Sequence, residues 1–168
     1  LSREERTGFP EVVFCSGKED QFLLSIYERL YKEHQEVFGT RASQAQYELV
    51  KSRFDEANYD PVSRILKITK NEDKKLIGNI AVCTAGKADI PVDEEAAQTV
   101  EFFGSKVNRV YDVGVAGIHR LLSRVDTIRE ANVVIAVAGM EGALASVLGG
   151  LTDKPVIAVP TSVGYGAS

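Results

Sequence analysis

The sequence predicts an α/β protein, a parallel sheet covered by helices in three layers and preceded by a small α+β unit. Three observations carry this. From Leu76 onward strand-like and helix-like segments alternate strictly, the pattern of a parallel sheet with crossover helices. Val133-Val134-Ile135-Ala136-Val137 is an unbroken, β-branched-rich run, as expected of a strand buried on both faces. The polar stretch Asn71-Glu72-Asp73-Lys74-Lys75 separates this regular part from a less regular one, placing a boundary between residues 1–75 and 76–168.

In the first unit, Val12 to Phe14 reads as a short strand. Phe22, Leu23, Ile26 and Leu30 recur at helical spacing within a helix of about Glu19 to His34. Ser43 with Gln46 three residues on predicts a capping box, followed by the stripe Tyr47, Val50 and Phe54. Ile65, Leu66 and Ile68 suggest another strand.

In the second unit, Asn79 to Cys83 is an apolar strand. Pro91, with Asp93, Glu94 and Glu95 in the first turn, opens a helix with Val92, Ala96, Val100 and Phe103 on one face. Val107 to Val113 is the next strand, and Ile118, Leu121, Leu122 and Val125 form the next helical face. After the Val133 strand, a helix presents Leu144, Val147, Leu148 and Leu151, and Pro155 to Val159 closes the series. A covering helix would ordinarily follow, so the pattern predicts that a C-terminal helix is missing from these residues.

The composition of the 168 residues (44% hydrophobic, 26% charged) suits an ordinary globular core. No apolar run approaches the roughly 20 residues of a membrane span and no signal-peptide pattern opens the chain, so no membrane partner and a cytoplasmic location are expected. A net charge of −4 argues against a nucleic-acid partner. Cys15 and Cys83 fit no metal-ligand spacing, so no metal site is expected, and each reads as a small buried hydrophobe.

In a parallel sheet the loops leaving the carboxyl ends of the strands gather at one edge, where ligands bind. Here those loops span residues 84–89, 112–120, 138–142 and 160–168, and all contain glycine. Glycine admits close backbone approach, and the first three loops deliver helix N-termini that favour an anion. A phosphate-bearing nucleotide is the ligand this suggests. The spacing matches neither the Rossmann nor the P-loop fingerprint.

Among ionisable residues, Glu141 directly follows a buried strand, where desolvation would raise its pKa and suit it to proton transfer; supporting the helix dipole is the alternative. Asp89 either bonds a ribose hydroxyl or caps the helix beginning near Pro91. Arg120 would complement a phosphate, and His119 stands beside it; both otherwise make a solvated helical turn. Lys87 is either a ligand contact or a solvated loop charge.

These loops carry a resemblance. Ala85-Gly86-Lys87-Ala88-Asp89-Ile90-Pro91 is similar to the AIR carboxylase signature Gly-Ser-x-Ser-Asp-Trp-Pro. Gly117-Ile118-His119-Arg120 resembles that family's Ser-Ala-His-Arg, and the segments 138–142 and 155–160 resemble its Ala-Gly-x-x-His loop and following strand. The departures argue against aminoimidazole ribonucleotide as substrate: Gly86, Ala88 and Gly117 stand at serine positions, and the family's histidine has Glu141 as its nearest counterpart. The closer likeness is to the LarB-type branch of this PurE superfamily, the pyridinium-3,5-biscarboxylate mononucleotide synthases of nickel-pincer nucleotide biosynthesis. Residues 111–120, 137–144 and 159–166 look like that branch, as do 6–12 and 40–42 in the first unit.

The resemblance implies a PurE/flavodoxin-like domain and an enzyme that carboxylates nicotinic acid adenine dinucleotide at C5 of its pyridinium ring. The same enzyme hydrolyses the phosphoanhydride and releases AMP. CO2 or bicarbonate is the co-substrate, no cofactor is tightly bound, and Mg²⁺ on the substrate phosphates stays open. Glu141 and Asp89 become the catalytic carboxylates. Thr84, Gly86, Lys87, Gly117, His119, Arg120, Gly139, Met140, Gly142, Pro160 and Thr161 become substrate contacts. The thiolate that activates the ring is expected from a cysteine beyond Ser168, with Cys83 standing in only if it faces the cleft. A homo-oligomer, an octamer by resemblance, is the expected assembly. An AIR carboxylase or mutase, or a nucleotide-binding module without chemistry, are the alternative readings.

Overall fold

The structure, a computed structural model, describes residues 8–70, 74–139 and 142–162. The chain divides into two compact units, Leu1–Lys74 and Lys75–Ser168.

In the first unit, strands β1 (Val12–Phe14), β2 (Val37–Thr40), β3 (Asn58–Asp60) and β4 (Ile65–Ile68) form a sheet in the order β1-β2-β4-β3. The β1–β2 pair is parallel, connected through helix α1 (Asp20–His34), and the other pairs are antiparallel. Helix α1 buries Leu23, Tyr27 and Leu30, which recur at i, i+4 and i+7. Phe22, expected to face inward, is 64% exposed, because it sits about 100° around the helix from that stripe. Ser43 caps helix α2 (Gln44–Lys51) as expected: its Oγ accepts from the Gln46 N–H at 3.1 Å, and its own N–H donates to Gln46 Oε1 at 3.0 Å. Strands β2 and β3 have no counterpart in the sequence reading. Both are short, and Asn58-Tyr59-Asp60 has the residues of a turn.

The second unit contains β5 (Ile77–Thr84), α3 (Ile90–Phe102), β6 (Ser105–Val110), the short helices α4 (Ile118–Leu122) and α5 (Val125–Arg129), β7 (Val133–Ala138), α6 (Ala143–Leu151) and β8 (Val156–Pro160). The strand order is β6-β5-β7-β8 and every neighbouring pair is parallel. Alternate residues of the central strands serve opposite faces. Ala81, Cys83, Val134 and Ala136 pack with Leu121, Ile128, Leu144 and Leu148 of α4, α5 and α6. Val82, Ile135 and Val137 pack with Ala97 of α3. The expected three-layer, flavodoxin-like α/β fold is therefore present. The single helical face expected around Ile118 to Val125 is instead divided between α4 and α5. Leu121 and Ile128 point inward there, while Ile118 and Leu122 are exposed. At the sheet edge, Ile157 of β8 is 51% exposed.

Candidate active site

The chain leaves β5 to form β6 on one side and returns to form β7 on the other, so the strand order reverses between β5 and β7. The carboxyl ends of these strands are where such a sheet leaves a crevice. Backbone bonds join the loops there. The Ala85 N–H donates to the Val137 carbonyl at 3.2 Å, the Val113 N–H to the Thr84 carbonyl at 2.9 Å, and the Thr161 N–H to the Ala138 carbonyl at 3.2 Å. Thr84 is fully buried, and its hydroxyl accepts from the Asp112 N–H at 3.1 Å. In this structure it ties two loops together.

Asp89 ends a single 3₁₀ turn, Lys87–Asp89, and precedes α3, but its side chain makes no capping bond. Its Oδ1 instead accepts a hydrogen bond from the Thr161 hydroxyl at 2.6 Å, and the residue is 5% exposed. The capping alternative thus gives way to a link between the first and last loops. The other carboxylate oxygen faces Gly86, where an added Cβ would lie 3.9 Å from it. Lys87 and Ala88 are exposed.

A cleft of about 340 Å³ lies beside β7, β8 and the start of α6, with Ala138, Gly139, Gly142, Ser146, Pro160 and Thr161 in its wall. Gly142 takes φ +71° at the N-cap of α6, a conformation that favours glycine. The third and fourth loops are therefore brought together, and the Asp89–Thr161 bond joins the first to them.

The second loop is held differently. Asp112 has a left-handed φ of 57°, and its carbonyl accepts from Arg120 Nε at 2.8 Å. The Asp112 carboxylate lies 3.6 Å from the guanidinium. Gly117 lets this guanidinium lie close, since a Cβ there would come within 2.6 Å of Arg120 Cζ. Gly114 likewise makes room for the Ala85 carbonyl, 2.5 Å from where its Cβ would stand. Arg120 is thus drawn back onto the end of β6, His119 is exposed, and neither lines the cleft. Met140 and Glu141 lie outside the described residues.

The sequence reading missed a buried acid. Asp93, in the first turn of α3, is fully buried, and neither carboxylate oxygen has a hydrogen-bond partner. Burial pushes its carboxyl up to about 7; Tyr111 and Arg109 temper the rise, and the charges of Glu94 and Asp89 add to it. The neighbouring groups are engaged with one another. Arg109 donates to Glu94 Oε1 at 2.7 Å and to Glu101 Oε1 at 2.6 Å, and the Tyr111 hydroxyl donates to Glu94. Although burial opposes it, bonding from Arg109 and Tyr111 holds Glu94 below the usual carboxylate range. A signal was available: Asp93, Ala97 and Val100 share one face at i, i+4 and i+7, so the helix period places Asp93 with the apolar residues.

Cys83 faces the core beneath α4 to α6, and burial pushes its thiol up to about 12. Cys15 is fully buried in the first unit with its thiol also raised by burial. Neither is a reactive thiolate in this fold. Among the described residues, no group of three or more His, Cys, Asp or Glu side chains could hold a metal ion. No helix among them is long and apolar enough to cross a membrane.

Comparison with known proteins agrees with this geometry. Residues 1–71 match the family model described as LarB/PurE-like N-terminal domain, and residues 79–167 match AIR carboxylase. An uncharacterized protein, MJ0165, of Methanocaldococcus jannaschii is 38% identical over 174 residues, covering 99% of this chain and 68% of the relative. The N5-carboxyaminoimidazole ribonucleotide mutase of the same organism is 36% identical over 84 residues, 48% of this chain and 51% of the mutase. The chain thus spans about two thirds of the first relative's length and half of the second's. With a parallel sheet, a cleft at its carboxyl edge and both matches on one polypeptide, this chain belongs to the AIR carboxylase (PurE/LarB) superfamily.

Proposed function

We propose that this chain carries the catalytic domain of an enzyme that carboxylates nicotinic acid adenine dinucleotide at C5 and hydrolyses its phosphoanhydride. The products are AMP and pyridinium-3,5-biscarboxylate mononucleotide. The supporting observation is the joint occurrence of the LarB/PurE-like N-terminal domain and the AIR carboxylase domain on one chain. The cleft wall is small and largely apolar, which suits a flat ring, and Asp89 offers an acceptor beside it.

The chemistry follows from the ring. A pyridinium is electron-poor, so C5 cannot attack CO2. A thiolate added to the ring makes an enamine-like dihydropyridine whose C5 is nucleophilic. Attack on CO2, loss of the C5 proton to a base and expulsion of the thiol restore aromaticity. Glu141 is the proposed base. Because Cys15 and Cys83 are buried, the thiolate is to be supplied from outside these residues. Gly86, Lys87, Gly139, Gly142 and Pro160 are proposed contacts around the ring and phosphates. No tightly bound cofactor is required. Mg²⁺ on the phosphates and a homo-octamer complete the proposal.

The test is incubation of the protein with the dinucleotide and bicarbonate, followed by mass spectrometry for AMP and a mononucleotide heavier by one CO2. Glu141→Gln is expected to slow turnover by about 10²–10⁴-fold with little change in dinucleotide binding. Absence of both products from the intact protein rejects the proposal. The mutase among the relatives favours a second reading, action on carboxyaminoimidazole ribonucleotide. Glycine or alanine at the three serine positions weighs against it, and turnover of that ribonucleotide would decide for it.

A further inference from the structure

We propose that Thr161 is a positioning residue, whose hydroxyl holds Asp89 in the orientation the cleft needs and straps the loop after β5 to the end of β8. The inference rests on Asp89 being a ligand-facing carboxylate, as in the functional reading above. β7 separates β5 from β8 in the sheet, so the bond from Thr161 to Asp89 Oδ1 spans the carboxyl end of an intervening strand. At 2.6 Å it is a short hydrogen bond, and Asp89 is only 5% exposed.

Thr161 is itself anchored, its N–H donating to the Ala138 carbonyl at 3.2 Å, and it forms part of the cleft wall. The strap turns Asp89 so that Oδ2 lies toward Gly86, where an added Cβ would meet nothing else within 4 Å. That oxygen is therefore left available to accept from a ligand hydroxyl or N–H. Without the strap, a loop whose Lys87 and Ala88 are exposed would hold the carboxylate less firmly.

The test compares wild type, Thr161→Val and Thr161→Ser by calorimetric titration with nicotinic acid adenine dinucleotide and by amide hydrogen exchange. Thr161→Val keeps the shape and removes the donor. It should bind about 10-fold more weakly and exchange faster across residues 85–90, with amides of β1 to β4 unchanged as a control for folding. Thr161→Ser should restore both. Wild-type exchange and binding in Thr161→Val overturn the inference. Weaker binding with unchanged exchange also overturns it, since Thr161 would then act through direct ligand contact. If wild type binds no dinucleotide yet exchange rises in Thr161→Val, the strap stands and the functional reading falls.

Discussion

The two units differ in the treatment of one deeply buried polar group. In the first, Tyr27 is deep in the core, but its hydroxyl donates to the Leu66 carbonyl at 2.8 Å, and buried Ser63 donates to Asp60 at 2.6 Å. In the second, Thr84 and Asp89 are bonded in the same way, but Asp93 is equally deep and its carboxylate oxygens have no hydrogen-bond partner, four residues from the strapped Asp89. A satisfied buried group stabilises or is neutral, whereas an unsatisfied carboxyl is costly and holds its proton. The first unit is built for packing. The second leaves one buried carboxyl unsatisfied close to Asp89, the pattern expected where function competes with stability.

The hardest way to break this contrast is in the first core. Gly39 lies against the Tyr27 hydroxyl, with Cys15 Sγ at 2.8 Å and the Leu66 carbonyl at 3.1 Å from where its Cβ would be. Gly39→Ala should therefore lose about 2–3 kcal/mol in urea denaturation, through overpacking and disturbance of the Tyr27 bond. An unchanged midpoint would show that this core yields more easily than its geometry implies.

A smaller effect of opposite sign is expected in the second unit. Near pH 4, folded and unfolded chains both begin to differ at Asp93, because the unfolded carboxyl ionises there while the folded one keeps its proton up to about 7. The folded state thus binds the extra proton in this window, and stability falls as pH rises through it. Asp93→Asn removes that slope. The variant should match wild type near pH 4 and become progressively more stable than it as pH rises to 8, measured by denaturation across the range. Parallel pH profiles for the two proteins would mean that Asp93 ionises normally.

The mildest change sharpens the first half of the comparison. Ser43→Ala removes one side of the capping box and should cost about 1 kcal/mol with no effect on turnover.

Much of the fold was legible because it follows from local periodicity. The alternation from Leu76, the β-branched strand at Val133 and the Ser43/Gln46 box each act over a few residues, and each appears where expected. Two short strands and the division of one helix were not legible. Strands β2 and β3 form because neighbouring strands supply their partners, and α4 and α5 separate where Leu121 and Ile128 must both reach one core. For the site, the chain pattern placed Asp89, Gly139, Gly142 and Thr161 at one edge, but it suggested four equivalent loops. The structure withdraws Arg120 onto Asp112 and commits the Thr84 hydroxyl to the same loop. Asp93 was passed over because acid in a first turn usually faces water.

By itself the sequence determined the layering and the edge at which chemistry gathers, since strand direction and helix period are properties of neighbouring residues. Only the tertiary structure decided which polar groups meet. Thr161 and Asp89 lie 72 positions apart, and their encounter depends on the order in which four strands assemble. The same holds for the isolation of Asp93, because a buried charge is defined by everything packed around it.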